Sequence, residues 1–216
     1  MNTSAPKPAP IDVLIGLFDR ALRASTGIGA PARRADPATG LEENPMSDTE
    51  RALSVSLLRV EHAGEIAAQA LYEGQALTAR SKSLKAHLRE AATEEGDHLA
   101  WCAARLRELG GRPSYLGPLW YSGSLALGAL AGRAGDRWSL GFLAETEIQV
   151  TRHLEAHLAK LPATDQRSRA ILEQMRTDEQ HHASAAVDRG AAKLPAPARH
   201  LMKSMSKVMT VGARWV

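Results

Sequence analysis

Two short strings in this chain carry the same pair of donor side chains. They are Glu95-Gly96-Asp97-His98 and Glu179-Gln180-His181-His182, each a Glu-x-x-His. On a helix that spacing puts carboxylate and imidazole on one face. Each string has a lone candidate glutamate on an earlier segment: Glu147 for the second, and Glu61 or Glu65 for the first. Four carboxylates and two imidazoles drawn from four segments are what a four-helix bundle uses to hold two metal ions in its interior. Hard carboxylate oxygens with imidazole nitrogens suit iron or manganese, and the residues alone do not separate the two.

Spacing by itself is weak. With 8 histidines in 216 residues, chance alone gives about 0.6 Glu-x-x-His pairs. Helical phase adds the discrimination. Leu84, Leu88, Ala91, Glu95, His98, Cys102, Leu106 and Leu109 fall three or four apart on one stripe. So do Leu140, Leu143, Glu147, Val150, Leu154, Leu158 and Leu161, and again Ile171 or Leu172, Met175, Glu179, His182 and Ala186. The polar residues stand where leucines stand and so point into the core. A buried ionised carboxylate is very costly without a partner, and two divalent cations compensate four of them. Phase prefers Glu147 to Glu145, His182 to His181 and Glu95 to Glu94. It does not choose between Glu61 and Glu65, which lie one turn apart.

The elements that must position these groups are helical. Aromatic residues are 4% of the chain, and alanine and leucine dominate over β-branched runs, which favours helix-on-helix packing. A short amphipathic helix is expected over 11–24. Residues 25–46, with Gly27, Gly29, Pro31, Pro37, Gly40 and Pro45, read as a flexible linker. Ser47 and Glu50 form a capping-box signature that opens a long helix to about residue 80. A second helix is expected over 83–109, stopped by Gly110, Gly111 and Pro113. Bundle helices three and four are expected over 136–161 and 165–190. Between the halves lies an uncharged apolar insert, 116–130, shorter than the roughly twenty residues that span a bilayer, and read as an interfacial or partly inserted element. A last helix over 198–214 sets Leu201, Met205, Val208, Gly212 and Trp215 on one stripe. Lys203, Lys207 and Arg214 lie off it, the pattern of a helix lying on an anionic membrane surface.

The fold class is therefore all-α, with one domain over 47–216. The single cysteine, Cys102, excludes an intramolecular disulfide framework and fits a reducing compartment. No secretory signal is expected from the N-terminus, and no Gly-x-Gly-x-x-Gly fingerprint is present for a dinucleotide. The net charge is +3, with 27 basic and 24 acidic residues. If metal ions neutralise four of the acidic groups, the remaining surface is distinctly basic, which suits an anionic partner.

The strings Leu58-Arg-Val-Glu-His-Ala-Gly-Glu65, Glu94-Glu-Gly-Asp-His98, Glu145-Thr-Glu147 and Asp178-Glu-Gln-His-His182 together resemble the demethoxyubiquinone hydroxylase family of ubiquinone biosynthesis. The resemblance covers about residues 47–216, with the four motifs in the family's order. It implies a ferritin-like four-helix bundle with additional membrane-associating helices. It selects Glu65 over Glu61 and implies Glu65, Glu95, His98, Glu147, Glu179 and His182 as catalytic metal ligands for two iron ions, Glu95 and Glu179 bridging. It places His153 near the site, in a supporting role. The activity it implies is hydroxylation of the ring of a polyprenylated demethoxyubiquinol by dioxygen, with NADH as the source of electrons. The implied partners are the polyprenyl benzoquinol substrate, a membrane surface and the other proteins of the biosynthetic complex. Nucleic acid is not among them, and a homo-oligomer is compatible. The implied location is peripheral, on the cytoplasmic face of a bacterial inner membrane. The competing readings are a ferritin-type ferroxidase for iron storage, a rubrerythrin-like peroxidase and a metal-free helical adaptor on membranes. One cysteine cannot supply the rubredoxin module of the peroxidase.

Overall fold

The computed structural model describes residues 31–215, together with Ile11, Ile15, Gly16, Asp19, Leu22 and Arg23. Most of the helix expected over 11–24 lies outside the described residues. The six described there are helical, and Arg23 pairs with Asp19 at 2.7 Å.

Six helices follow among the described residues, with no strand: α1 (Asp48–Thr78), α2 (Lys82–Glu108), α3 (Gly117–Arg133), α4 (Asp136–Leu158), α5 (Gln166–Asp188) and α6 (Ala196–Trp215). Helix starts are set by side chains that take up free backbone N–H groups. The Ser47 hydroxyl accepts from Glu50 N–H while the Glu50 carboxylate accepts from Ser47 N–H, completing the capping box. Ser81 caps α2 and Asp165 caps α5 in the same way. Asp136, at the start of α4, accepts from the backbone N–H groups of Arg80 and Ser81, both at 2.9 Å, and so fixes the α1–α2 turn to α4.

Side-chain contacts give the topology. Gln75 meets Ser139, Tyr72 meets Glu147, and Glu61 meets His157, so α1 and α4 run antiparallel. Glu94 meets His182, His98 meets Asp178, Cys102 meets Met175, and Arg105 meets Ser168, so α2 and α5 are antiparallel too. With short turns joining α1 to α2 and α4 to α5, the four helices close a ring. α2 therefore ends at the opposite end of the bundle from where α4 begins. The uncharged segment bridges that gap: α3 runs alongside α1 as the one long crossover of a ferritin-like bundle.

α3 approaches α1 through glycine. A Cβ on Gly74 would sit 2.2 Å from the Leu125 carbonyl oxygen, and one on Gly128 would sit 2.2 Å from that of Leu71. Only a residue without a side chain fits there. The opposite face of α3 is open, with Leu119 and Leu130 exposed. α6 covers α1 through Ala213, which is fully buried against Val60 and Ala63. Of its expected stripe, Leu201, Met205 and Val208 are exposed, joined by Val211. Gly212 instead turns toward Leu116 and Trp120. No helix among the described residues is long and apolar enough to cross a membrane.

Residues 31–46 form no helix, as their composition requires, yet they are fastened to the bundle. Ala38 is 2% exposed within the core formed by Leu57, Trp101, Leu154 and Ile171. The buried Arg105 donates to Glu43 and to Asp165. Arg34 reaches further in, toward the polar centre.

The glycine crossing has a measurable consequence. Gly128→Ala should lower the thermal midpoint by several degrees, because overpacking of about 1–3 kcal/mol exceeds the gain in helix propensity. Gly123→Ala, on the same helix with nothing within 4 Å of its Cβ, should leave the midpoint unchanged or raise it. Circular dichroism melts of both variants check this, and equal shifts would contradict the close packing of α3 on α1.

Candidate metal centre

The bundle core splits into two apolar clusters. One is built around Leu57, Leu106, Leu154 and Met175, the other around Tyr72, Leu88, Leu143 and Ala186. Glu65, Glu95, His98, Glu147, Glu179 and His182 lie between them, and none is more than 4% exposed. α1 supplies Glu65, α2 supplies Glu95 and His98, α4 supplies Glu147, and α5 supplies Glu179 and His182. Of the rejected neighbours, His181 is exposed and Glu145 is bonded to Gln149, whereas Glu94 reaches back to His182.

The two Glu-x-x-His units face each other across α2 and α5. His98 Nδ1 lies 3.0 Å from Glu95, 3.3 Å from Glu65 and 3.3 Å from Glu179. His182 Nδ1 lies 3.3 Å from Glu179 and 3.4 Å from Glu95. Glu95 and Glu179 thus each contact both imidazoles, while Glu65 and Glu147 sit at the flanks. Single donor atoms of Glu65, Glu95, His98 and Glu179 all fall within 4.8 Å of one another, close enough to share an ion. Glu147 joins through Glu179, whose charge acts on it.

Each imidazole turns its other nitrogen to a carboxylate on the facing helix. His98 Nε2 donates to Asp178 at 3.0 Å, and His182 Nε2 donates to Glu94 at 2.7 Å. That fixes the tautomer that leaves Nδ1 free toward the centre. Asp178 is held in turn. Arg34 Nη1 donates to it at 2.8 Å, Arg34 Nε donates to Asp97 at 2.9 Å, and the guanidinium lies 4.8 Å from the Trp101 ring centroid. Arg33 N–H donates to the other oxygen of Asp97 at 2.6 Å. The aperiodic segment before the bundle therefore straps the outside of the site. On the far side the Tyr72 hydroxyl donates to Glu147 Oε1. This leaves Glu147 Oε2 buried without a hydrogen bond, while Glu95 Oε1 and Glu179 Oε1 face the imidazole nitrogens without an aligned hydrogen bond.

The electrostatics follow from crowding. Burial, then the charge of Glu95, pushes the Glu65 carboxyl well above its usual value. Burial, then Glu179, does the same to Glu147. Burial also raises Glu95 and Glu179, but the two imidazoles outweigh it and hold both below the ordinary range. Burial lowers His98 and His182, yet the surrounding carboxylates prevail, and His182 is pushed up to about 12. Burial and Glu147 keep the Tyr72 hydroxyl protonated. Protons thus do the work of compensation that cations do when bound, and the donor set fits a pair of divalent ions.

Sequence reasoning did not find Asp178, Glu94, Tyr72 or Arg34. Asp178 and Glu94 carried a signal, since an acidic residue directly precedes the glutamate of both motifs. His153 makes its close contacts with Glu61 and His157.

Residues 52–213 match the family model described as "Ubiquinone biosynthesis protein COQ7". A protein of Nitrosococcus oceani named 3-demethoxyubiquinol 3-hydroxylase is 53% identical over 206 residues, covering 95% of this chain and 96% of its own. Proteins of the same name from Cupriavidus necator and Burkholderia ambifaria are 57% and 56% identical. They cover 94% and 93% of this chain, and 99% and 96% of their own lengths. With the match running from the first bundle helix into the last helix, the chain belongs to the COQ7 family of ubiquinone biosynthesis proteins.

Proposed function

We propose that this chain hydroxylates the ring of a polyprenylated demethoxyubiquinol with dioxygen, on a pair of iron ions held by Glu65, Glu95, His98, Glu147, Glu179 and His182. The observation that carries the reading is the convergence of two Glu-x-x-His units on one buried centre in a chain whose relatives are named as this hydroxylase. A ferritin-type ferroxidase would use the same donors. The names of the relatives favour the quinol reading over storage.

A bound iron pair supplies the activation of dioxygen and the electron transfer to it, chemistry that side chains alone lack. The rest is the work of this chain's residues. Glu95 and Glu179, each in contact with both imidazoles, would hold the ions from the middle of the site, and Glu65 and Glu147 would hold them from its flanks. Asp178 and Glu94 aim the imidazole nitrogens inward. Tyr72 fixes one oxygen of Glu147 and leaves the other for metal, and it keeps a proton beside the centre. The apolar clusters on either side exclude water. NADH is the reductant this reading takes from the family.

The substrate's tail lies in a membrane. Leu119 and Leu130 of α3, and Leu201, Met205, Val208 and Val211 of α6, are exposed on helices that meet at Gly212 and Trp120. With Lys203 and Lys207 exposed on α6, this surface suits peripheral docking on the anionic cytoplasmic face of a bacterial inner membrane.

Three outcomes test the reading. Glu179→Ala should lose iron loading and hydroxylation together, measured by metal analysis and by mass spectrometry of the quinol product. A variant that still hydroxylates at full rate removes the ligand assignment. Arg34→Ala should still bind two ions but with up to roughly 10-fold weaker affinity in chelator competition, because Asp178, the partner of His98, keeps Gln174 but loses its charged anchor; unchanged affinity would make the strap merely structural. Deleting residues 198–216 should move the protein from the membrane to the soluble fraction of a lysate, and unchanged fractionation would rule out α6 as the anchor.

A further inference from the structure

A second group of buried donors lies outside the dinuclear centre. Glu61 stands one turn before Glu65 on α1, about 6 Å along the axis. His153 and His157 are one turn apart on α4, so their imidazoles leave the same face. The antiparallel pairing of α1 and α4 brings the three together. Glu61 Oε1 lies 2.5 Å from His157 Nδ1 and 3.9 Å from His153 Nε2, and the two rings are 4.0 Å apart between centroids. Glu61 is 2% exposed and His157 is 1% exposed, while His153 is partly buried.

Those same three atoms are buried and make no hydrogen bond. The approach of Glu61 to His157 is closer than an N–H···O hydrogen bond and lacks its alignment. Native proteins pair nearly all such atoms, and a group left over asks for a partner the chain does not provide. Two imidazoles and one carboxylate with a fourth position open are the donors of a mononuclear zinc-type site. Tetrahedral bonds of about 2.0–2.1 Å would set the donors about 3.3 Å apart, a value bracketed by the two separations found here. Burial lowers the proton affinity of His153. Although Glu61 opposes this, His157, Lys160 and Arg214 lower it further, so His153 is held below the ordinary imidazole value. The neutral ring is the form a metal requires.

We propose that Glu61, His153 and His157 form a second, mononuclear site for a divalent transition metal of zinc-like preference, one turn along α1 from the dinuclear centre. An ion there joins α1 to α4 beside the end of α6, where Ala213 packs on α1. The assignment uses donors that the proposed hydroxylation does not.

Cobalt(II) is the probe, because its four-coordinate complexes absorb visible light strongly. Full-length protein carrying two equivalents of iron(II), kept anaerobic, is titrated with cobalt(II), and both metals are measured on the same sample. One equivalent of cobalt should bind with a four-coordinate visible spectrum while iron stays at two. His157→Gln and His153→Gln should each abolish that equivalent and keep both irons. His153→Gln alters a partly exposed position and carries the test if His157→Gln fails to fold. Absence of cobalt binding in the parent protein, or binding undiminished in both variants, overturns the proposal. Loss of iron along with cobalt from His153→Gln overturns it equally, by placing His153 in the dinuclear centre.

Discussion

Four carboxylates share one dry interior, and everything around them answers to that. Like charges held this close repel strongly where no water screens them. The protein's own means of relief are visible: Glu65 and Glu147 are driven toward the protonated form, while His98 and His182 are driven toward the charged one. The proposed pair of divalent cations would remove the need for both. In the proposed reading, the grouping that destabilises the fold without metal would also give the site its affinity, so binding and folding would be thermodynamically linked.

A centre of this kind needs rigid walls, and the bundle provides them in layers. Each imidazole is aimed by a carboxylate from the facing helix, Asp178 for His98 and Glu94 for His182, an exchange that follows the internal twofold of the bundle. The symmetry ends at the next layer. Asp178 is anchored by Arg34 from the chain before the bundle, whereas Glu94 stands partly exposed. The site is therefore braced from outside on one flank, while on the other the carboxylate that holds His182 borders solvent. α3 and α6 add the remaining asymmetry by covering α1 and presenting their apolar residues outward.

The legible parts of the sequence were those in which one helix face is buried and the other is not. α2, α4 and α5 each show a single stripe, and the phase of Glu95, His98, Glu147, Glu179 and His182 on those stripes matches their burial. α1 resisted the same reading for a physical reason. It is covered by α2, α3, α4 and α6 together, so Glu61, His62 and Glu65 are all buried and no stripe stands out. The crossover role of 116–130 was hidden because glycines that meet a neighbouring backbone look like any small residues until the neighbour is known. Arg34 was out of reach altogether. Its partners, Asp97 and Asp178, lie on two different bundle helices far along the chain, and no local period links them to residues 31–46.

Iron K-edge X-ray absorption on the protein loaded with two equivalents of iron(II) tests the central claim most directly. The account predicts a first shell of oxygen and nitrogen only, and an iron–iron vector at about 3.5–4 Å. Isolated iron atoms with no metal–metal vector, or a sulfur scatterer from Cys102 in the first shell, would contradict it.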